Sequence, residues 1–440
     1  MANAEKTSIR IGLLGCGNVG AALASLLVDP SAHETLVRRA GVELELVAIG
    51  VNDPNKVRSQ ESWFPIHLLT DNVDAIVDRD DIDLVVELMG GLEPAGTLIA
   101  KALASGKAVV SANKALLAQR GKDLEELAQA QRRDLAYEAA VAGAIPVIRT
   151  LRESLAGEAI YRVMGIVNGT TNFILSKMTA EGLAYDEVIA EAQRLGYAER
   201  DPSADVEGYD AAAKAAILAG LAFDTSIDLE AVHCEGITKL RSVDLAYAAK
   251  MGYCVKLLAI AERIGDGISV RVHPAMVPLH HPLASVDGAM NAVFIEGAAS
   301  GPIMLYGQGA GGLPTASAVL GDVIDVARNL VASTYQQPPR RHASLAMKAT
   351  TDLVSEFYLS IEVLDEPGVL AKVADVFGTH GVSIRSMEQT GLGDEARLVF
   401  VTHLALEHAV AATIADLKNL REVEAVGGII RVVGNDQEAQ

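Results

Sequence analysis

Residues 8–28, SIRIGLLGCGNVGAALASLLV, decide the fold of the N-terminal part of this 440-residue chain. The apolar run over 8–14 predicts a buried strand, and the apolar periodicity after residue 20 predicts a helix. Between them lies the pattern G-x-G-x-x-G. Strand, glycine turn and helix in this order form a dinucleotide-binding fingerprint, whereas a plain glycine-rich turn is the alternative. The residues predicted to bind the cofactor are Gly15, Gly17, Asn18, Val19 and Gly20.

A second predicted strand, residues 43–51, leads into the segment that should read the ribose of a dinucleotide. Asp53 would suit the free 2′-hydroxyl of NAD, whereas Lys56 or Arg58 would suit the 2′-phosphate of NADP. Asp53 follows the glycines by more than the usual spacing of about 20 residues, which a longer helix and loop would explain. Both NAD(H) and NADP(H) therefore stay open as cofactors.

Two further apolar runs, DLVVEL at 83–88 and AVVS at 108–111, indicate buried parallel strands separated by helices. Together these elements predict a Rossmann-type, doubly wound parallel sheet, in which ligands lie beyond the carboxyl ends of the strands. The residues that follow these strand ends, and are therefore predicted to meet cofactor or substrate, are Gly90, Ser111, Asn113 and Lys114. A surface lysine is the alternative for Lys114. A second glycine cluster at 307–312 precedes a predicted helix over 315–330 and places Gly311 on the cofactor side, with loop flexibility as the alternative.

Residues 196–214, GYAERDPSADVEGYDAAAK, place many charged side chains at the start of a helix that is otherwise apolar. A helix that is apolar all round is normally buried, so Asp210 and Lys214, four residues apart, are predicted to share one face in the wall of a cleft. An exposed ion pair is the alternative. A buried carboxylate and ammonium beside further acids are typical of an acid–base site.

The rest of the chain divides into two predicted parts. From residue 160, longer apolar strands, a polar turn at 169–172 and a helix over 255–264 indicate an α+β domain with a mixed sheet. After a proline-containing linker at 336–341, the element order βαββαβ is ferredoxin-like and predicts a ligand sensor or an oligomerisation module. Glu138 stands alone in a segment of small apolar residues, where a buried, hydrogen-bonded glutamate is favoured over a cation ligand.

Composition argues against several classes of function. The chain has 37 basic and 57 acidic residues, for a net charge of −20, so a nucleic-acid partner is not expected. No apolar run reaches the 18 or so residues that span a bilayer, and the N-terminus has no secretory pattern, so we expect a cytoplasmic protein. The three cysteines are scattered and indicate neither disulfides nor zinc.

Seven segments spread over nearly the whole chain resemble the homoserine dehydrogenase family with a C-terminal ACT domain. They are GLLGCGNVG, VVELMGG, VVSANKALLA, YEAAVAGAIPVI, GIVNGTTNFIL, LGYAERDPSADVEGYDAAAKAAIL and YGQGAGGLPTASAVLGD. The resemblance implies NAD(P)H-dependent reduction of L-aspartate 4-semialdehyde to L-homoserine, on the route to threonine and methionine. It also implies four regions: a nucleotide-binding domain at 1–135, completed by about 305–333; a substrate-binding, catalytic and dimerisation domain at 136–304; a linker at 334–350; and an ACT domain at 351–436.

The resemblance further implies roles for residues of the catalytic site. Lys114 and Lys214 would flank the reacting carbonyl, with Lys214 as the general acid and Asp210 orienting and charge-balancing it. Glu199 would hold the substrate amino group. The other residues expected to contact substrate are Tyr197, Asp205, Gly169 and Thr170.

Two auxiliary sites are implied in the same way. A monovalent cation, usually sodium, would lie against Glu138 and the carbonyls of Val141, Gly143 and Ile145, which reverses the interpretation of Glu138 from the residues alone. The turn containing Asp365, Pro367 and Gly368 matches the one at which ACT domains bind amino acids. Inhibition by threonine is therefore a hypothesis.

Two other functions stay open. Another ACT-containing hydroxy- or keto-acid dehydrogenase would rely on a histidine paired with an acid, but the candidates His233, His273, His280 and His281 lack an acid at convincing spacing. A non-catalytic nucleotide or amino-acid sensor would not need the set Lys114, Asp210 and Lys214. Because only fourteen residues precede the glycine motif, we expect a monofunctional enzyme without an aspartokinase region. A homodimer or homotetramer is the expected assembly.

Overall fold

The computed structural model describes residues 7–56, 58, 63–336, 345–391 and 396–434. Its strands are β1 Ser8–Leu14, β2 Glu43–Gly50, β3 Leu69–Thr70, β4 Leu84–Glu87, β5 Ala108–Ser111, β6 Leu135–Ala136, β7 Ile160–Ile166, β8 His233–Cys234, β9 Tyr253–Ile264, β10 Gly267–Pro278, β11 Met290–Gly297, β12 Gly301–Gln308, β13 Val354–Val363, β14 Ile384–Thr390, β15 Arg397–Thr402, β16 Ala405–Leu406 and β17 Val423–Val432. Its helices are α1 Asn18–Val28, α2 His33–Ala40, α3 Val73–Asp78, α4 Ala95–Ala104, α5 Lys114–Gln131, α6 Val147–Arg149, α7 Gly169–Glu181, α8 Tyr185–Leu195, α9 Ser203–Val206, α10 Tyr209–Ala222, α11 Ser242–Lys250, α12 Gly312–Ala332, α13 Val369–Thr379 and α14 Glu407–Leu417.

The chain forms two compact units. The first consists of Met1–Val163, Ala216–Leu229 and Asn291–Ser344. It contains a six-stranded sheet in the order β3-β2-β1-β4-β5-β6, in which neighbouring strands are parallel. Strands β4 and β5 are buried at every residue, as expected when helices cover both faces of a parallel sheet. Ile11 of β1 shares one apolar core with Leu23 of α1 and Val319 of α12. The predicted Rossmann-type sheet is confirmed.

The second unit consists of Met164–Ala215, Glu230–Met290 and Leu345–Gln440. Within it, strands β9-β10-β17-β13-β15-β14 lie side by side, with β10 antiparallel to β9 and parallel to β17. The sheet is therefore mixed, as predicted. The last four of these strands, together with α13 and α14, form the predicted ferredoxin-like domain, whose core contains Phe357, Phe377 and Phe400.

Two local predictions were wrong. Residues 255–264, predicted as a helix, belong to β9, where seven consecutive residues are buried. A strand that is buried on both faces has a continuous apolar run, which periodicity cannot distinguish from a buried helix. The turn predicted at 169–172 is the first turn of α7, because the Asn168 side chain accepts the Thr171 N–H and caps the helix there. Most of the predicted linker, residues 337–341, lies outside the described residues.

Among the residues that the structure describes, no helix is both long and apolar enough to cross a membrane.

Candidate active site

In the first unit, the turn between β1 and α1 lies in the wall of a cleft of about 680 Å³. Gly15 has a φ of +95°, and a Cβ on Gly20 would lie 2.2 Å from the Gly15 carbonyl oxygen. Only glycine permits this turn, which brings the N-terminus of α1 to the cleft, where Gly17 and Asn18 line it. Unpaired backbone N–H groups at a helix N-terminus favour an anion, so the arrangement fits the pyrophosphate of a dinucleotide.

The same cleft contains two cationic side chains. Lys56 and Arg58 line it, and Arg58 donates hydrogen bonds from Nε to the Cys16 carbonyl (3.1 Å) and from Nη2 to the Asp53 carbonyl (2.7 Å). The Asp53 carboxylate instead accepts the N–H of Asn55 at 2.9 Å, in its own turn. Burial raises the pKa of the Cys16 thiol, with an opposing contribution from the charge of Arg58. The charged residues that line the cleft are thus Lys56, Arg58 and Asp29.

Helix α12 reaches this cleft as well. Gly311 caps the helix with a φ of +129°, and Gly312 and Leu313 line the cleft. A Cβ on Gly312 would lie 3.1 Å from the Asn18 carbonyl oxygen, so the N-termini of α1 and α12 approach each other closely. The structure thus brings Gly311 close to the glycine fingerprint.

A buried glutamate organises the ends of β4 and β5. Glu87 Oε1 accepts the N–H groups of Met89 (2.8 Å) and Gly90 (3.0 Å), and Glu87 Oε2 accepts the Ser111 hydroxyl at 2.7 Å. The Ser111 Oγ in turn accepts the Asn113 N–H at 3.1 Å. Gly90 and Ser111 therefore belong to one network, centred on a residue that the sequence analysis missed. The available signal was a carboxylate that directly follows the apolar residues 84–86.

The loop after β5 leads directly into α5. Asn113 Oδ1 caps this helix by accepting the Leu116 N–H at 3.2 Å, and Asn113 Nδ2 donates to the Gly91 carbonyl at 2.7 Å. Lys114 is half-buried at the first position of the helix. Asn113 thus ties the glycine pair after β4 to the first turn of α5, which begins with Lys114.

In the second unit, α10 places Asp210 and Lys214 together. Asp210 is 7% exposed and Lys214 is 8% exposed, so the burial expected from the apolar helix is observed. Lys214 Nζ donates to Asp210 Oδ2 at 2.7 Å and to the Val167 carbonyl at 2.6 Å. A buried pair is tolerated only when its partners are close and hydrogen-bonded, as they are here. These two hydrogen bonds fix the orientation of the Lys214 ammonium, as is required of a proton donor.

Hydrogen bonds connect Asp205, which lies before α10, to Asp210 through Asn168. Asn168 Nδ2 donates to Asp205 Oδ1 (2.7 Å) and to Asp210 Oδ2 (2.9 Å). The Thr170 hydroxyl donates to the Tyr197 carbonyl at 2.7 Å, which ties the first turn of α7 to the loop after α8. Asp205, Thr170 and Tyr197 thus lie in one connected region with Asp210.

Glu199 lies in the same loop as Tyr197, and its side chain is exposed. Gln193 Nε2 donates to the Glu199 carbonyl (3.0 Å) and to the Arg200 carbonyl (3.3 Å), which fixes the backbone of this loop. Neither Gln193 nor Asn168 was singled out from the sequence, because an amide residue in a helix or at a strand end has no distinctive spacing.

Glu138, the predicted cation ligand, is buried in the first unit. Its two carboxylate oxygens accept the N–H groups of Ile148 and Arg149, each at 2.8 Å, and its own N–H donates to Asp322 Oδ2 at 2.7 Å. Burial raises the pKa of Glu138, and burial together with the nearby Glu138 charge raises the pKa of Asp322 to about 7. Four residues after Glu138, Ala142 and Gly143 both adopt left-handed conformations.

Family models match three parts of the chain. They are described as "Homoserine dehydrogenase, NAD binding domain" at residues 15–138, "Homoserine dehydrogenase" at 146–324 and "ACT domain" at 357–422. A homoserine dehydrogenase of Mycobacterium tuberculosis is 47% identical, over 98% of this chain and 99% of the relative. The chain belongs to the homoserine dehydrogenase family.

Solved structures agree with membership of the homoserine dehydrogenase family. A homoserine dehydrogenase from Thiobacillus denitrificans superposes with a TM-score of 0.91 at 42% identity, covering 97% of this chain and 98% of that one. A hyperthermophilic archaeal homoserine dehydrogenase in complex with NADPH has a TM-score of 0.62 at 29% identity, covering 72% of this chain and 97% of that one. The chain is thus an NAD(P)-dependent oxidoreductase that carries an ACT domain.

Two of the candidate histidines, His273 and His281, make contacts that do not support the rival mechanism with a catalytic histidine. His273 is 2% exposed, its Nε2 accepts a hydrogen bond from Arg271 Nε at 3.3 Å, and its Nδ1 contacts the Pro274 carbonyl at 2.9 Å. Burial, followed by the charges of Arg431 and Arg271, holds its pKa well below the usual range. His281 Nδ1 accepts the Leu283 N–H in a local turn. These contacts are structural.

Proposed function

We propose that this member of the homoserine dehydrogenase family reduces L-aspartate 4-semialdehyde to L-homoserine with Lys214 as the acid that protonates the carbonyl oxygen. When bound, the reduced nicotinamide supplies the hydride that adds to the carbonyl carbon. The carbonyl π electron pair moves to oxygen, and the Lys214 ammonium donates a proton to that oxygen. The neutral amine then regains a proton from solvent. A positioned cation stabilises the developing alkoxide and completes the alcohol.

The observation that carries this proposal is the fixed position of the Lys214 ammonium. It is buried, and the two acceptors on Asp210 and Val167 restrict where Nζ lies. Asp210 balances the charge of Lys214 and holds its direction. A charge in such a site acts more strongly on a developing alkoxide than it would in water.

The remaining roles follow the resemblance and are part of the proposal. Lys114 supplies a second cation for the substrate, and Glu199 binds the substrate ammonium through its carboxylate. Tyr197, Asp205, Gly169 and Thr170 shape the substrate pocket. The hydrogen bond from the Thr170 hydroxyl to the Tyr197 carbonyl supports this, because it holds two of these segments together.

Steady-state kinetics with aspartate semialdehyde test the catalytic assignment. Lys214→Met should lower kcat by about 10²- to 10⁴-fold with little change in the KM for cofactor, since general acid catalysis contributes on that scale. Lys177→Met is the matched control, because Lys177 is also an ion-paired helical lysine, with Nζ 2.5 Å from Glu191, and should retain activity. Undiminished kcat in Lys214→Met, or no turnover by wild type, would contradict the proposal.

We further propose that NADP(H) is the preferred cofactor. Lys56 and Arg58 line the cleft at the glycine turn, whereas the Asp53 carboxylate is engaged within its own turn. A cationic side chain at this position accommodates a 2′-phosphate. Lys56→Ala should raise the KM for NADPH several-fold and leave the KM for NADH unchanged. Equal effects on both cofactors would argue against a phosphate site.

A sodium ion near Glu138 is the third part of the proposal. Glu138 and Asp322 place two buried carboxyl groups together, and a cation would offset their repulsion. Each Glu138 oxygen accepts one N–H and has a second lone pair for a metal. The consecutive left-handed residues Ala142 and Gly143 bend the backbone where the carbonyls of Val141, Gly143 and Ile145 are expected to contribute.

Regulation by an amino acid is proposed for the ACT domain. Asp365, Pro367 and Gly368 form an exposed turn, and Gly368, with a φ of +90°, caps α13. Threonine is the proposed effector, and kinetics that stay unchanged at millimolar threonine would remove this proposal. Membership of the family is the basis for three further proposals: a homodimer or homotetramer, a cytoplasmic location, and a role in threonine and methionine synthesis.

A further inference from the structure

Asn168 lies at the junction of β7 and α7, with all of its side-chain polar atoms engaged. Its Oδ1 accepts the Thr171 N–H at 2.9 Å and the Thr171 hydroxyl at 3.1 Å, and its Nδ2 donates to Asp205 and Asp210. The amide orientation follows from these partners, because a flipped amide would place its oxygen against two carboxylates. Asn168 is 5% exposed, so water does not substitute readily for these contacts.

The Asn168 amide and the Lys214 ammonium share one acceptor atom. Asp210 Oδ2 receives Lys214 Nζ at 2.7 Å and Asn168 Nδ2 at 2.9 Å. The neighbouring residue, Val167, presents its carbonyl to the same Nζ at 2.6 Å. Two consecutive residues directly after β7 therefore fix both the ammonium and its counter-ion.

We propose that Asn168 is a positioning residue for proton transfer, acting through Asp210 on Lys214. This inference rests on the proposed function, since Asn168 acquires its role only if Lys214 is the acid. The neutral amide holds the carboxylates of Asp205 and Asp210 in place together. Without this donor, the repulsion between the two carboxylates favours protonation of one of them. A protonated Asp210 would attract the Lys214 ammonium less strongly and would no longer fix its orientation.

Asn168→Asp separates this role from helix capping. Aspartate is as good an N-cap as asparagine, so the contact to the Thr171 N–H is kept while the donor to Asp205 and Asp210 is lost. At pH 8 kcat should fall by about 10²-fold, the scale expected for a misplaced catalytic group, with the KM for cofactor unchanged. The deficit should shrink as pH falls, because three clustered carboxyl groups then hold a proton that can be donated again.

Asn168→Ser distinguishes the lost donor from the added charge. Serine also caps helices and introduces no charge, and its single hydroxyl proton cannot replace the two amide donors that serve Asp205 and Asp210. Its kcat should therefore be low at every pH at which the Asp variant recovers. Asn72→Asp is the control for the exchange itself: Asn72 caps α3 by accepting the Ala75 N–H at 3.0 Å in an exposed turn. Thermal unfolding of each variant shows whether the fold is kept. If Asn168→Asp is destabilised, the kcat of Asn168→Ser decides whether Asn168 has the proposed positioning role.

The outcomes separate this inference from the proposed function. If Lys214→Met loses activity while Asn168→Asp and Asn168→Ser keep the wild-type kcat and pH profile, Asn168 is only a helix cap and the inference is overturned. If Lys214→Met retains activity, the proposed function itself is wrong. The expected result is a low kcat for Asn168→Ser that does not fall further when Asp210→Asn is added, because both substitutions act through one carboxylate.

Discussion

Glu87 and Ser111 end neighbouring parallel strands, lie opposite each other in the β4–β5 register, and are joined by a 2.7 Å hydrogen bond from the Ser111 hydroxyl to Glu87 Oε2. Both residues are fully buried. The other Glu87 oxygen holds the backbone of Met89 and Gly90. One carboxylate thus sets the shape of two loops at the edge of the sheet where ligands of doubly wound folds bind.

We predict that Glu87→Gln impairs cofactor binding. The substituted amide cannot accept hydrogen bonds at both ends, so at least one buried N–H or hydroxyl loses its acceptor, at a cost of about 1–3 kcal/mol. The free energy of unfolding should fall by that amount, and the KM for NADPH should rise several-fold. Glu126→Gln, on the exposed face of α5, is the control and should change neither value. Urea unfolding and initial rates measure both; a wild-type KM would contradict the prediction.

The glycine fingerprint allows a second prediction, in which two alanine substitutions have different effects. A Cβ on Gly17 meets nothing within 4 Å, and Gly17 has a φ of −80°, so Gly17→Ala should fold with unchanged stability. The added methyl group lies at the cleft, so the KM for cofactor should rise by at least about tenfold, or 1.4 kcal/mol. Gly20→Ala brings Cβ within 2.2 Å of the Gly15 oxygen and should lower stability as well, by about 1–3 kcal/mol. Thermal unfolding and fluorescence titration with NADPH compare them.

The sequence predicted the parts of this fold that have an unambiguous local pattern. The run at 8–14 and the glycines after it identified β1, the turn and α1, because each step has its own steric requirement. The order of elements after residue 354 identified the ferredoxin-like domain. The burial of Asp210 and Lys214 followed from the apolar residues around them. The roles of these residues and the domain boundaries stay predictions.

The parts that failed depend on contacts between distant residues. Residues 255–264 form a strand because β10 pairs with them along their whole length, which no local pattern reveals. Asn168 and Asp210 are 42 positions apart, and Glu87 and Ser111 are 24 apart, so neither pair has a motif. A side chain whose function is to hold another side chain is visible only once the strands and helices are in place.

The third prediction concerns the coupling of sodium and pH at Asp322. Its pKa of about 7 lies above that of an unfolded aspartate, so the folded chain binds a proton that the unfolded chain has released between about pH 4 and 7. The stability gained from this group is therefore present at low pH and is lost as pH rises through 7. A bound cation should replace the proton. Sodium should raise the Tm more at pH 8.5 than at pH 5.5.

Asp322→Asn tests this coupling directly. The variant should show a sodium effect that is smaller and depends less on pH, because one of the two buried carboxyl groups is gone while Glu138 remains. Asp325→Asn is the matched control: Asp322 and Asp325 both pair with Arg149, at 3.1 Å and 2.8 Å, but the Asp325 side chain is 39% exposed. Differential scanning fluorimetry in sodium chloride against choline chloride, at equal ionic strength, measures the effect. Identical sodium responses of wild type at the two pH values would remove the prediction.

The fourth prediction concerns Arg431, which belongs to β17 of the ferredoxin-like domain. Its guanidinium donates to Glu407 from Nε (2.6 Å) and Nη2 (2.8 Å), and to Glu235 from Nη1 (2.9 Å). The Arg431 side chain is 13% exposed, and that of Glu407 is 9% exposed. Removing the cation would leave two carboxylates without their counter-charge. Arg431→Met should therefore lower the free energy of unfolding by about 3–5 kcal/mol.

A surface arginine of the same domain provides the comparison. Arg421 also contacts two carboxylates, Glu366 at 3.1 Å and Glu422 at 3.6 Å, but its side chain is 76% exposed. Arg421→Met should have little effect, because water and salt screen an exposed pair. Adding Glu407→Gln to Arg431→Met should restore part of the loss, since it removes one uncompensated charge. Urea unfolding followed by circular dichroism measures all three variants, and equal losses at Arg431 and Arg421 would show that burial does not govern these pairs.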